Sequence, residues 1–424
     1  MLALLSSLLY CVTALNAAAD LEWGVSGYVD SNVTAGSKMF YWFFPASSAA
    51  PSPAPLFIWL QGGPGAAGSA FSLRENIGPL HVGMNTTTVT ATEHSLADLG
   101  HVLIFDSPVG TGFSYSETGE FVTTHAQGGQ QVVTAFTNLM TSGVLSSYLA
   151  KDQATFLAGE SDGGKWVSEV GAAWLAKPPS GAHLGGLIAG NGWYDAESQV
   201  GHEPDYLYNL GMLSATQAAA FAVRAKEVLT LIHLGNYSGA NDLYGAYQVD
   251  LFMATGLPDP ADVRVYGFAS LNFTTVLDVV NDPATRARLG VGNHTYDSVI
   301  SQAVGNALAL DNLRSAKPAL EKVLGAPNEI PMMMFHGNFD YTIPNAATES
   351  FLAALQWPGK QAYVAAPRNV WRDSNNATLG YSQIGGNMHY YTVAQSGHQA
   401  IQDHPERVLA AISAFLGATA QRRH

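Results

Sequence analysis

The feature that most constrains this chain is a pentapeptide, Gly159-Glu160-Ser161-Asp162-Gly163, that joins an apolar run to a helical pattern. Residues 154–158 are predicted to form a buried strand, and residues 165–175 carry tryptophan and valine at helical spacing. A strand, this pentapeptide and a helix together make a nucleophile elbow, whose glycines permit a strained turn that exposes the serine hydroxyl. Backbone N–H groups at the helix start can hold a developing oxyanion. An ordinary strand-to-helix turn is the alternative, because the bare pattern arises easily by chance in a chain with 43 glycines.

Two downstream segments supply the partners that a serine nucleophile needs. A serine hydroxyl attacks a carbonyl only with a histidine base that a carboxylate orients. Residues 331–340 indicate a buried strand that delivers Asp340, and residues 390–398 indicate a second strand that delivers His398 into a glycine-bearing loop. Either residue alone is more often structural, but the order serine, acid, histidine is that of the α/β-hydrolase fold. The sequence therefore predicts a triad of Ser161, Asp340 and His398.

The alternation of short apolar runs with helical patterns predicts an α/β fold with a mostly parallel central sheet and flanking helices. Strands are predicted at residues 39–44, 56–60, 102–105, 155–158, 187–189, 332–335, 362–365 and 390–394. Helical periodicity is clearest at residues 165–175, 346–355 and 405–415. Between about residues 195 and 324 the strand patterns fade, which predicts a helical lid inserted into one domain that spans residues 20–424.

Composition and charge exclude several classes of function. The chain has 33 acidic and 19 basic residues and a net charge of −14, without a basic patch, so nucleic acid is not an expected partner. Residues 1–19 are apolar and end in alanines, which predicts a signal peptide, with a buried helix as the alternative. The single cysteine, Cys11, lies in this segment, so no disulfide is expected after its removal. No later segment has the length of a membrane span.

Six Asn-x-Ser/Thr sequons behind a signal peptide are typical of a glycosylated protein of the secretory pathway, either secreted or lysosomal. The candidate glycosylation sites are Asn32, Asn85, Asn236, Asn272, Asn293 and Asn376.

Several blocks of this sequence resemble the serine carboxypeptidase family, and the likeness extends over nearly the whole chain after the predicted signal peptide. Residues 59–65 are similar to the family's Trp-x-x-Gly-Gly-Pro-Gly block, and residues 106–115 are a near-verbatim family signature. Residues 190–192 and 380–384 also fall in family positions. Gln61, in place of the commoner asparagine, resembles the animal retinoid-inducible branch of the family.

The resemblance implies an α/β-hydrolase fold and removal of C-terminal residues from peptides and proteins through an acyl-enzyme, at acidic pH. Ser161, Asp340 and His398 match the family's triad, and the backbone N–H groups of Gly63 and Asp162 match its oxyanion hole. The implied partner is a peptide or protein with a free C-terminus. No metal and no organic cofactor is implied, because the triad and the oxyanion hole supply the chemistry.

The resemblance also implies a binding site for the substrate's terminal carboxylate, made by Gln61, Gly62, Glu75 and Glu160. Counting forward from the Gly-Gly-Pro-Gly block favours Glu75, whereas counting back from the following Gly-Pro pair favours Asn76. Two glutamates beside an incoming carboxylate must share at least one proton, which favours binding at acidic pH.

The chain departs from the family at a few positions near the predicted site. Asp162 stands where an aromatic residue usually follows the nucleophile, and its charge could oppose an anionic intermediate. Residues 66–68 and 399–401 differ as well. Two alternatives therefore stay open: an acyltransferase or esterase, against which Glu160 argues, and a catalytically silent binding protein with the same fold.

Overall fold

The computed structural model describes residues 21–31, 36–266, 272–296 and 298–421. The predicted signal peptide and the sequon at Asn32 lie outside these residues. Within the described ranges, no helix is long and apolar enough to cross a membrane.

The described residues form thirteen strands, eleven of them in one large sheet. The strands are β1 Val25–Asp30, β2 Ser37–Phe44, β3 Leu56–Leu60, β4 Leu80–Val82, β5 Val89–Ala91, β6 His101–Phe105, β7 Tyr115–Ser116, β8 Gln153–Glu160, β9 Ala182–Gly190, β10 Met332–Gly337, β11 Asn369–Arg372, β12 Thr378–Gly385 and β13 Met388–Val393. The order in the large sheet is β1-β2-β6-β3-β8-β9-β10-β13-β12-β11, with β7 paired to β2. β4 and β5 form a separate antiparallel pair.

The helices lie on both sides of the sheet and in a long stretch between β9 and β10. They are α1 Gly68–Ser72, α2 His125–Ser142, α3 Gly163–Ala176, α4 Ala196–Gln199, α5 Glu203–Asn209, α6 Ala215–His233, α7 Tyr237–Thr255, α8 Thr274–Asn281, α9 Pro283–Leu289, α10 Gln302–Asn312, α11 Lys317–Leu324, α12 Asn345–Ala354, α13 Lys360–Ala365, α14 Ala400–Asp403 and α15 Pro405–Gln421. We refer to residues 196–324, which contain α4–α11, as the insertion. Part of the insertion packs on its own apolar cluster, which includes Leu207, Val228 and Tyr247.

The centre of the sheet is parallel and buried on both faces. β6, β3, β8, β9, β10 and β13 run parallel, and antiparallel strands extend the sheet on either side. In β3, Ile58 and Leu60 pack into the core on one face, and Phe57 and Trp59 pack into the core on the other. Burial on both faces explains why this strand is a continuous apolar run without polar alternation. The predicted α/β fold with a mostly parallel sheet is confirmed.

The predicted strand at residues 362–365 is wrong, because these residues lie in α13. A short apolar run does not distinguish a strand from a helix by its periodicity. The strands that follow β13 at this end of the sheet are instead β12 and β11. β11 and β12 are largely exposed or half-buried, so they lack the apolar run from which the other strands were predicted.

The carboxyl ends of parallel strands lie at the same edge of the sheet, and the predicted functional residues lie along this edge. Ser161 follows β8, Asn191 follows β9, Asp340 follows β10 by three residues, and His398 follows β13. These four strands are consecutive in the sheet. Residues up to 237 positions apart in sequence (161 to 398) therefore lie along one edge.

Two glycines let α2 pack closely against α3, the helix that begins directly after the pentapeptide. A Cβ atom at Gly128 would lie 2.8 Å from Trp166 Cη2, and one at Gly129 would lie 2.9 Å from the Glu169 carbonyl carbon. Both distances are too short for a methyl group, so the approach of α2 to α3 depends on glycine at these two positions.

A matched pair of glycine-to-alanine substitutions tests this close approach. Gly128→Ala should destabilise the protein by about 1–3 kcal/mol, because the methyl group overpacks against Trp166. Gly417→Ala, in the exposed part of α15 with nothing near the added Cβ, should stabilise it by up to about 1 kcal/mol. Chemical unfolding monitored by tryptophan fluorescence measures both changes. Equal shifts in the two variants would contradict the packing described here.

Candidate active site

Ser161 occupies a left-handed turn between β8 and α3, with a φ of +62°. Such a backbone conformation costs about 1–3 kcal/mol for a residue other than glycine and persists only where neighbours enforce it. Here the Ser161 N–H donates to the Gly190 carbonyl (2.9 Å), and the Ser161 carbonyl accepts from the Trp193 N–H (2.8 Å). Both partners flank the end of β9. The turn is therefore fixed to the neighbouring strand, and Ser161 stays partly exposed among buried residues.

His398 and Asp340 form a hydrogen-bonded pair. His398 Nδ1 lies 2.8 Å from Asp340 Oδ2, and the Asp340 side chain is fully buried. Because a carboxylate can only accept, the Nδ1 hydrogen faces Asp340 and Nε2 remains available to another group. Burial opposes protonation of His398, but the charge and hydrogen bond of Asp340, together with the carboxylates of Glu75 and Asp259, outweigh burial, so the pKa of His398 is raised.

Asn191, to which the sequence analysis gave no role, holds Asp340 and the His398 loop together. Its Nδ2 donates to Asp340 Oδ2 (2.8 Å) and to the Gly397 carbonyl (3.3 Å). The Ile343 N–H donates to the other oxygen of Asp340, at 3.0 Å. Asn191 is completely buried and lies between two glycines at the end of β9. The similarity of residues 190–192 to the family was the signal that the sequence offered for its importance.

The loop after β3 lies directly against the Ser161 turn. A Cβ atom added to Gly62 would lie 2.8 Å from both Ser161 Cβ and the Asp162 nitrogen, so only glycine permits this approach. In the part of the chain that the structure describes, the backbone N–H groups of Gly63 and Asp162 donate to no protein acceptor. Free N–H groups beside a serine can stabilise the negative charge that develops on a carbonyl oxygen when the serine attacks the carbonyl carbon.

Glu75 and Glu160 form a buried pair of carboxyl groups beside the same turn. Gln399 Nε2 donates to Glu75 Oε1 (2.6 Å), and Gln61 also hydrogen-bonds Glu75. Glu75 Oε2 and Glu160 Oε1 are buried and have no hydrogen-bond partner among the described residues. Buried polar atoms without partners are rare in folded proteins, so these two oxygens indicate a place for a polar ligand.

The surroundings of the two glutamates favour their neutral forms. Burial raises the pKa of Glu75 to about 8, although the hydrogen bonds to Gln399 and Gln61 and the charge of His398 act in the opposite direction. Burial and the neighbouring Glu75 carboxylate raise the pKa of Glu160 well above its ordinary value. Asn76, the other candidate from the sequence, accepts a hydrogen bond from Thr92 Oγ1 (2.8 Å), so the structure brings Glu75 to the pair.

Asp162 directs its carboxylate at a histidine. The side chain is buried, and its Oδ2 lies 2.9 Å from His125 Nε2. His125 Nδ1 in turn lies 2.7 Å from Asp311 Oδ2. The sequence identified the acidic residue but not its partner, which lies 37 positions earlier at the start of α2.

Five of the six sequon asparagines fall in described residues, and all five are exposed: Asn85, Asn236, Asn272, Asn293 and Asn376. Glycosylation at these sites stays a prediction.

Comparison with known proteins gives one family and one fold. The sequence profile of the serine carboxypeptidases matches residues 22–418. The chain is 28% identical to the probable serine carboxypeptidase CPVL of Mus musculus, over 92% of this chain and 82% of that protein. It is 30% identical to a venom serine carboxypeptidase of Apis mellifera, over 92% of this chain and 83% of that protein. The crystal structure of a prohormone-processing carboxypeptidase from Saccharomyces cerevisiae matches with a TM-score of 0.78 and 18% identity, over 94% of this chain and 91% of that one.

Removal of the Asp340 charge should change the ionisation of His398. Asp340→Asn leaves burial as the dominant influence, so the pKa of His398 should fall by about one to three pH units. Titration of the histidine ring resonances by NMR measures this, and loss of one signal in His398→Asn assigns the resonance. Asp152→Asn removes an exposed carboxylate that pairs with His183 and should leave the His398 titration in place. Equal titrations of His398 in the wild type and Asp340→Asn would contradict the assigned pair.

Proposed function

This chain belongs to the serine carboxypeptidase family, and we propose that Ser161, Asp340 and His398 are the residues with which it releases C-terminal amino acids from peptides and proteins at acidic pH. As a member of that family it is a serine-type carboxypeptidase, a hydrolase that acts on peptides. The observation that carries the site assignment is the buried pair Glu75 and Glu160, whose unpartnered oxygens lie beside the Ser161 turn.

In the proposed reaction, His398 Nε2 takes the Ser161 proton as the serine oxygen bonds to the carbonyl carbon of the last peptide bond. Asp340 stabilises the imidazolium that forms and holds its orientation through Nδ1. The carbonyl oxygen becomes negatively charged and accepts from the N–H groups of Gly63 and Asp162. His398 then gives the proton to the departing amine, the C–N bond breaks, and an acyl-Ser161 ester remains. Water, activated by His398, hydrolyses this ester and regenerates the serine.

The glutamate pair suits recognition of a terminal carboxylate. A neutral carboxylic acid has one O–H to donate, which a substrate carboxylate can accept. Because Gln399 donates to Glu75 Oε1, the proton of neutral Glu75 belongs on the unpartnered Oε2. Glu160 accepts from the Ala400 N–H and also keeps one unpartnered oxygen. Gln61 and the Gly62 backbone complete the proposed binding site.

The predicted signal peptide, together with a venom serine carboxypeptidase among the relatives, supports a location in the secretory pathway, outside the cell or in a lysosome-like compartment. The five exposed sequons support the same proposal, because N-glycosylation acts on surface asparagines of proteins in that pathway. An ester or acyl-transfer substrate without a carboxylate would leave the buried glutamates without a partner, and this argues against those alternatives.

Ser161→Ala should abolish both the release of C-terminal amino acids and labelling by a fluorophosphonate probe, because the attacking oxygen is gone. Amino-acid analysis of a digested peptide and in-gel fluorescence provide the two measurements. Ser146→Ala, at an exposed position, serves as the matched control and should behave like the wild type. Release retained by a pure Ser161→Ala preparation would falsify the nucleophile assignment.

The pH dependence of substrate binding tests the role of Glu75. A raised pKa keeps Glu75 neutral below about pH 8, so affinity for a free-acid peptide should be present there and decline as pH rises through that value. Loss of one charge-assisted hydrogen bond corresponds to about a 10- to 100-fold rise in KM. Glu75→Gln cannot ionise and should show a much flatter KM across pH 6–9, measured by steady-state kinetics.

Two controls accompany this measurement. A peptide with a C-terminal amide should show no comparable rise in KM with pH, and the exposed substitution Glu93→Gln should leave the wild-type profile unchanged. Parallel KM profiles for the wild type and Glu75→Gln would show that Glu75 does not control carboxylate binding.

A further inference from the structure

A buried cluster of four charged side chains lies next to the nucleophile, and the proposed reaction does not use it. The cluster consists of Asp162, His125, Asp311 and Lys165, which we call the elbow cluster. The His125 side chain is 2% exposed, and it lies 2.9 Å from Asp162 on one side and 2.7 Å from Asp311 on the other. The Lys165 side chain is likewise buried.

The elbow cluster joins three separate elements of the fold. Asp162 precedes α3, His125 begins α2, and Asp311 lies at the end of α10 in the insertion. The His125 backbone N–H also donates to Asp311 Oδ2, at 2.7 Å. Lys165 Nζ donates to three carbonyl oxygens at the end of α10 and just beyond it, those of Asp311, Asn312 and Arg314. The cluster therefore ties the Ser161 turn to the insertion.

The contacts of His125 determine its charge. Each ring nitrogen faces a carboxylate oxygen, which can only accept, so both nitrogens carry hydrogen and the ring is an imidazolium. Burial opposes this charge, but the Asp162 and Asp311 carboxylates outweigh burial and raise the pKa of His125. Lys165 supplies a second positive charge, so the two positive charges of the cluster balance its two negative charges. Glu169 and Asp195 are further charged groups that face the cluster, and Lys322 faces Glu169.

We propose that His125 is a positioning residue for the oxyanion hole. His125 holds and neutralises the Asp162 carboxylate, so that the Asp162 N–H stays directed at the developing oxyanion. This inference rests on the proposed role of that N–H in the reaction. It gives a function to a histidine outside the triad, and it explains how an acidic residue is accommodated directly after the nucleophile.

The pairing of Asp162 with His125 affects the transition state of the proposed reaction. An unpaired, buried Asp162 carboxylate would either turn toward another donor, and so move its own N–H, or keep a negative charge close to the oxyanion. Both changes raise the energy of the tetrahedral intermediate. Neither change affects the proposed carboxylate-binding site, in which Gln61, Gly62, Glu75 and Glu160 bind the ground-state substrate. The loss of His125 should therefore be seen in kcat rather than in KM.

A double-mutant cycle on the full-length protein tests the inference. His125→Ala should lower kcat for a free-acid peptide about 10- to 100-fold at the pH of maximal wild-type activity and leave KM within about two-fold, since deletion of one oxyanion donor costs about 10²–10³. Asp162→Asn removes the charge and should lower kcat less. In the Asp162→Asn background, His125→Ala should add less than about three-fold, because its partner charge is already gone.

Additional variants separate positioning from simple destabilisation. His125→Gln keeps one N–H for Asp162 and should recover part of the lost kcat. His233→Ala, which removes an exposed histidine paired with Glu197, is the control and should be indistinguishable from the wild type. If His125→Ala does not fold, His125→Gln replaces it in the cycle, and thermal melting verifies the fold of every variant.

Independent effects of His125 and Asp162 in the cycle, an unchanged kcat in folded His125→Ala, or a loss that falls mainly on KM would each overturn the inference. Failure of the proposed function is a separate result, because the wild type would then release no C-terminal residue. An active wild type with equally active His125 variants would reject the positioning role alone.

Discussion

The left-handed turn at Ser161 is the constraint on which the rest of the site depends. Its two backbone hydrogen bonds to the end of β9 bind the serine to the strand beside it, and glycine at position 62 lets the β3 loop approach from the other side. The α2–α3 contact through Gly128 and Gly129 fixes the helix that follows the turn. Asn191, which begins the loop that secures the turn, also holds Asp340. One strained residue is thus the reference point from which base, acid and N–H donors are placed.

The parts of this arrangement that depend on local sequence could be predicted, and the parts that depend on distant packing could not. Residues 159–163 and the buried parallel strands have local signatures, since glycines at set positions indicate a tight turn and an apolar run indicates a buried strand. The pairing of Glu75 with Gln399 joins residues 324 positions apart, and no pattern in either segment indicates it. The same holds for Asp162 with His125, and for β11 and β12, whose largely exposed surfaces give no apolar signal.

The resemblance to a family predicted the positions of the proposed site but not the consequences of the chain's departures from the family. The sequence predicts a negative charge at Asp162 beside the oxyanion. In the structure, the Asp162 carboxylate contacts His125, which in turn contacts Asp311 of the insertion. Gln399, where the family usually has another residue, supplies an amide to Glu75. Both departures add polar contacts to buried acids, which would otherwise carry the full cost of desolvation.

The two sides of Ser161 place opposite demands on protonation, and together they define the pH range in which the site is complete. In the proposed reaction, Glu75 has to be neutral to donate to a substrate carboxylate, and its raised pKa keeps it neutral below about pH 8. In the proposed positioning role, His125 has to be positive to neutralise Asp162, and its raised pKa keeps it positive to a higher pH. His398 has to be neutral to accept the serine proton, and the Asp340 carboxylate raises the pH needed for that. In the proposed reaction, protonation of His398 therefore sets the acidic limit of activity, and ionisation of Glu75 sets the alkaline limit. Because Glu75 and His398 interact through their charges, a change to either one shifts both limits.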